Sequence, residues 1–282
     1  MGWNASDIET ISWLRMQGHF PGGNAIVELG EQTLSPDLLS DQAVLSDICL
    51  AFGAATRDFS GQRPEAYAAR EIAEVKPEIA ARELWNWLGF KHSCIALSGG
   101  AAAVPLDLNV HAIPENLRGK FSFVSNIGTT AHVANQLNAF KAIHDLCATG
   151  GVMFHRLPAE GFMTHGLLKY SPKFFWMLAR SNGYKWLHWD FHYPNVRGQL
   201  HPDVLAELKK FNPDDGARME SYTVADGSLL VVLQKLYDIE YVPPLDVPNG
   251  TIPDGEFSER YWTVFHPARF QELIEKAEKE KS

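Results

Sequence analysis

FSFVSNIGTTAHVANQLNAF, residues 121–140, reads as a buried strand that ends in a loop and continues as a helix. The apolar run at its start suits a strand covered on both faces. Val133, Leu137, Phe140, Ile143 and Leu146 then recur at helical spacing over 133–147. Between the two lie Asn126, Gly128, Thr129, Thr130 and His132, five small or polar groups at the tip of a strand. In a parallel sheet, ligands bind at strand tips of this kind.

The same alternation extends in both directions. NAIVELG (24–30), SCIALS (93–98), AVPLDLN (103–109), GKFSFVSNIG (119–128), VMFHRLP (152–158) and KWLHWDFHY (185–193) read as strands. Helices are expected over 5–17, with Ile8, Ile11, Trp13 and Leu14 as apolar positions, and over 36–52, 68–88 and 171–182. The last starts at Ser171-Pro172, a capping residue followed by proline in the first turn. ARMESYTV and LLVVLQKL, joined at Asp226-Gly227, suggest a hairpin. Strands alternating with helices imply an α/β, doubly wound, mostly parallel sheet, here closed by a C-terminal antiparallel hairpin. Residues 1–238 form one α/β domain in this reading, and 239–282 a proline-rich extension ending in a charged helix.

Composition narrows the function. The chain has 282 residues, 45% of them hydrophobic, enough for one sizeable core. A formal net charge of −9 with no basic tract argues against nucleic acid as the partner. Cys49, Cys94 and Cys147 are too few and too far apart for a disulfide framework or a zinc knuckle, which suits a reducing cytoplasm. No apolar run at the N-terminus reads as a leader, and none elsewhere is long enough to span a membrane. The remaining partner is a small molecule. The apolar N-terminal helix and the proline-rich tail are the candidate homodimer surfaces.

AIVELGEQ, CIALSGGAAAVPLDLN and the block from Phe121 to Pro158 together resemble the motifs of class I S-adenosylmethionine-dependent methyltransferases. The resemblance covers roughly residues 20–235 and implies a Rossmann-like sheet with S-adenosylmethionine as cofactor. It implies that Glu28 accepts a hydrogen bond from the cofactor's ammonium and that Gly30 lets backbone approach its amino-acid end. Ser98, closing the second strand, would face the ribose, and Asp107 and Leu108 the adenine. Asn126, Gly128, Thr129 and His132 would line the cofactor beside its methyl group. The chain departs from the family at Ser98, Ser122 and Ala131, where acids are usual, and it lacks the second and third glycines of the first motif. A lost ribose carboxylate removes a charge-assisted bond, on the order of 1.5–3 kcal/mol.

HRLPAEGFMTHG (155–166) supplies the candidate catalytic residues, His155 and His165, on the expected substrate side. A neutral imidazole there can take a proton from a hydroxyl near pH 7. His144 reads as structural. His188, His192 and His201 are irregularly spaced, so no metal site is expected. Trp186, Trp189, Phe174, Phe175 and Trp176 read as core packing. The sequence thus points to a methyltransferase acting on a small-molecule or sugar-like acceptor, with weakened cofactor binding. The alternative is a non-catalytic binding or assembly protein on the same sheet. A nicotinamide-dependent enzyme would need GxGxxG after the first strand, and ELGEQT has one glycine.

Overall fold

A computed structural model describes residues 2–20, 22–59, 79–97, 103–162, 165–192 and 226–246, together with Gly255 and Tyr261. Its centre is a seven-stranded sheet in the order β5-β4-β1-β6-β7-β9-β8. The strands are β1 (Ala25–Leu29), β4 (Lys91–Ala96), β5 (Ala103–Pro105), β6 (Phe121–Ile127), β7 (Cys147–Glu160), β8 (Lys185–His192) and β9 (Gly227–Gln234). β5, β4, β1, β6 and β7 run parallel, whereas β9 is antiparallel to both β7 and β8. The sheet is therefore Rossmann-like and mostly parallel, with an antiparallel C-terminal pair.

The central strands are apolar on both faces because both faces are covered. Val27 and Leu29 of β1, Val124 of β6 and Met153 and Leu157 of β7 enter one core. That core is shared with α5 (Gln136–Leu146) and α6 (Pro172–Asn182). Ile26, Phe123, Ile127, Val152 and Phe154 face the other way, onto α1 (Ala5–Met16), α3 (Gln42–Phe52) and α4 (Ala81–Trp87). A period of two along each strand divides these side chains between the layers.

Several elements differ from the sequence reading. The expected helix over 36–52 is two, α2 (Pro36–Ser40) and α3, because the Asp41 side chain caps α3 by accepting from the Val44 amide at 3.1 Å. Within the expected helix at 68–88, residues 68–78 lie outside the described residues. Ile79-Ala80 is instead the short strand β3, antiparallel to β2 (Thr33–Leu34), and α4 starts only at Ala81. β7 begins directly after α5, and Gly150-Gly151 lie inside it rather than ending the helix. Phe121 pairs with Cys147 but Phe123 with Val152, so extra residues bulge from β7 there. Gly150 is left-handed at φ +80°, and a Cβ on Gly151 would lie 2.7 Å from the Ala148 carbonyl oxygen.

The antiparallel part of the sheet joins β9 to both β7 and β8, and β9 lies between them. ARMESYTV, residues 217–224, the expected first strand of the hairpin, lies outside the described residues. Of the aromatic group expected in the core, Phe175 is fully buried while Trp176 and Trp189 are exposed. The start of the tail packs as part of the body. His144 Nε2 lies 2.8 Å from the Ile239 carbonyl oxygen, Asn182 bonds the Val242 backbone in both directions, and Tyr241 joins the core. Among the described residues no helix is long and apolar enough to cross a membrane.

Candidate functional site

Strand order reverses between β1 and β6: from β1 the chain builds outward to β4 and β5, and from β6 to β7. In sheets of this kind ligands bind outside the C-terminal strand ends at such a reversal. Gly30 follows β1 at φ +73° and Gly128 follows β6 at φ +78°, both in the left-handed region. The Gly30 amide donates to the Ile95 carbonyl at 2.7 Å, and the Gly128 amide to the Arg156 carbonyl at 2.9 Å. Thr129 joins the turns by donating its hydroxyl to the Leu29 carbonyl. A Cβ on Gly30 would lie 2.6 Å from Thr129 Oγ1, so the two loops touch. Gly30, Gly128 and Thr129 are thus brought together at one edge of the sheet.

Thr129–His132 forms a 3-10 turn that leads into α5. His132 is exposed on it and meets His165 from the loop after β7, ring centroids 4.8 Å apart and edge to face. The loop is secured to the turn by the Leu167 and Leu168 amides, which both donate to the Ala131 carbonyl, at 2.7 and 3.1 Å. Ala131 is itself buried.

Asn126 and His155 lie beneath this edge rather than on it. Asn126 is fully buried, donates to Thr130 Oγ1 at 2.9 Å and accepts from the Thr130 amide at 3.2 Å. Its amide nitrogen is 3.3 Å from His155 Nδ1, which then accepts, placing the ring proton on Nε2. His155 packs against Phe140 and Phe175, and burial pushes its pKa down to about 3. His155, expected as a catalytic base, is a neutral histidine buried in the core. Tyr170 completes this support, its hydroxyl 2.6 Å from Gln136 Oε1 and 3.1 Å from Thr130 Oγ1, with its pKa raised to about 12 by burial.

Glu28 is the other correction. It points into the α1 side of the sheet, where its carboxylate accepts from the indoles of Trp3 at 2.6 Å and Trp85 at 3.0 Å. His92 Nε2 lies 2.9 Å from its second oxygen. The carboxylate is an anchor for the N-terminal arm, not an open acceptor for an ammonium. Spacing could not have revealed these partners, which lie 25, 57 and 64 residues away. The Gln32 side chain, two residues past Gly30, folds back on the Leu29 carbonyl at 3.3 Å.

Asp107 is half-buried after β5, one carboxylate oxygen accepting from the Asn109 amide at 2.8 Å. The Leu108 side chain is in the core and its carbonyl accepts from Asn138 at 2.8 Å. Ser98 lies outside the described residues. Ser122 sits at the opposite end of the sheet, its hydroxyl shared between the Gly23 and Ala25 carbonyls, both at 2.9 Å. Among the described residues no group of three His, Cys, Asp or Glu side chains is arranged for a metal.

No family model and no curated protein sequence matches the chain. Its path is similar to that of solved structures. A protein of Galdieria sulphuraria, assigned as a sarcosine dimethylglycine methyltransferase, has a TM-score of 0.44 at 14% identity, covering 82% of this chain and 85% of that one. An S-adenosylmethionine-dependent methyltransferase of Mesorhizobium loti has a TM-score of 0.40 at 10% identity, covering 80% and 99%. The [4+2]-cyclase SpnF also scores 0.40, at 13% identity, covering 83% and 84%. A fold does not fix a function, which is argued from the site.

Proposed function

We propose that the chain is an S-adenosylmethionine-dependent methyltransferase acting on a small-molecule acceptor in a reducing cytoplasm, with weakened cofactor binding. The observation that carries this reading is the contact between the left-handed turns at Gly30 and Gly128, at the point where strand order reverses. Left-handed glycine turns of this kind serve where backbone approaches a ligand closely; at Gly30 the Thr129 hydroxyl fills that approach, and the amino-acid end of the cofactor has to displace it. Asp107 fits a polar contact to the nucleoside end. Glu28 does not fit the ammonium, since two indoles and an imidazole already hold it. Weakened binding follows from that loss.

When bound, the cofactor supplies an electrophilic methyl group. The chain's own residues have three tasks: the two turns fix the crevice, Thr129 holds them in register, and His132 and His165 offer polar atoms beside it. Positioning supplies most of the rate in such a transfer. Thermal unfolding with S-adenosylmethionine, its demethylated product and NAD, each added separately, tests the reading. A ligand at about 100 times its Kd should add roughly 2.7 kcal/mol, and only the first two should raise the midpoint. If none does, the engagement of Glu28 favours the second reading, a binding or assembly protein on this sheet.

A further inference from the structure

We propose that β8 is a homodimer edge: two copies of the chain pair their β8 strands antiparallel, from Lys185 to Asp190, and join their sheets into one. The proposal does not rest on the methyltransferase reading.

β8 is the last strand of the sheet, and among the described residues its Lys185–Asp190 stretch pairs with β9 alone. The outer side of an edge strand presents backbone groups that can template another strand. Its two faces are fixed by β9. Trp186 lies opposite Leu233 and Trp189 opposite Val231, so both tryptophans face the layer of α5 and α6. His188 and Asp190 lie opposite Val232 and Leu230, on the α1 layer, and Leu187 packs there too. Lys185 shares that face, because it lies opposite Gln234, one residue on from Leu233. The extra residue at Leu187 is what sets Trp186 and Trp189 on one side. Trp189 is 55% exposed, and Trp176 of α6, 61% exposed, stands 5.8 Å from the Trp186 ring.

This stretch is self-complementary. A twofold axis between Leu187 and His188 sets Lys185 against Asp190 of the second copy, Trp186 against its Trp189 and Leu187 against its His188. Every pair then lies on a matching face, with opposite charges at both ends and aromatic pairs inside them. A slip of one residue either way opposes each tryptophan to a residue of the other face. A register centred on Asp190 keeps the faces matched but sets two carboxylates together, which is destabilising. The apolar positions of the N-terminal helix are not available instead, since Ile8, Ile11 and Leu14 are fully buried in the chain's own core.

Sedimentation velocity over a concentration series reads the association, with thermal midpoints as the check on folding. The wild type should be a dimer. Lys185→Asp and Asp190→Lys each turn two attractive pairs into two repulsive ones, and each should weaken the dimer at least roughly tenfold. The double variant, with the charges exchanged, should restore it. Trp189→Ser, which removes both aromatic pairs and leaves the charges in place, should also weaken it. A monomeric wild type overturns the proposal, and the bulge and the lysine then serve to keep the edge from pairing. A dimer indifferent to both single reversals, or broken by them and not restored by the double variant, overturns it as well.

Discussion

Glu28 places a carboxylate with 1% exposure in a layer built from Trp3, Trp85, Phe123 and Phe154. A buried acid persists only when its oxygens are satisfied, and here three nitrogens satisfy them. Glu28→Leu strands all three without their acceptor. At about 1–3 kcal/mol for each buried group left unpaired, the variant should lose several kcal/mol, read as a lower urea midpoint. A second residue-scale expectation concerns two histidines. Burial lowers His144 to about 4 and His155 to about 3, against an ordinary 6.5. Both are neutral when folded, so the unfolded chain binds more protons below 6.5. Their stabilisation is complete above that pH and drains away as the pH falls toward 4 and 3. The slope is at most about 1.4 kcal/mol per pH unit for each. Asp7, whose carboxyl is raised by burial, acts in the opposite direction. Denaturant midpoints measured from pH 7.5 to 4 should decline, and a His144→Gln, His155→Gln double variant should flatten the decline.

Among the elements, β7 shows how local chemistry shapes a strand. It must follow α5 without a loop and still meet β6 in register, and the bulge at 148–151 absorbs the excess residues. A side chain at 151 would meet the Ala148 carbonyl at 2.7 Å and Cys147 Sγ at 2.8 Å. Gly151→Ala should therefore cost about 1–3 kcal/mol through overpacking, seen as a lower thermal midpoint. Binding of the proposed cofactor should be unaffected, because the bulge lies at the end of the sheet away from the Gly30 and Gly128 turns. Gly128 differs: it is buried and left-handed, so a bulky residue there should disturb folding as well as the site. Loss of cofactor affinity in Gly128→Val alone would not isolate the site.

For the molecule as a whole, the N-terminal arm joins the layers. Trp3 bonds the backbone of Thr33 and Ser35, packs on Trp85 and Phe154 at 5.2 Å each, and reaches Glu28. Arg156 of β7 bonds the Gly2 carbonyl and pairs with Asp7 at 3.3 Å. Trp3→Ala should cost about 3–5 kcal/mol, the range for large buried aromatics. Hydrogen exchange should show the loss in α1 and in β1 together. Protection lost in α1 alone would mean that the arm is not coupled to the sheet.

The sequence by itself determined the alternation of strands and helices, the parallel centre of the sheet and the strand-tip position of Gly30, Gly128, Thr129 and His132. These are legible because period, glycine conformation and capping act over a few residues. It did not determine which strand β9 pairs with, because an apolar run carries no address for its neighbour. Nor could it tell His155, sealed between Phe140 and Phe175, from His165 at the edge, since both follow similar apolar runs. The fate of Glu28 was equally hidden. A carboxylate at the end of a first strand reads as a ligand until an arm 25 residues upstream folds back to claim it, and only tertiary packing brings that indole within 2.6 Å.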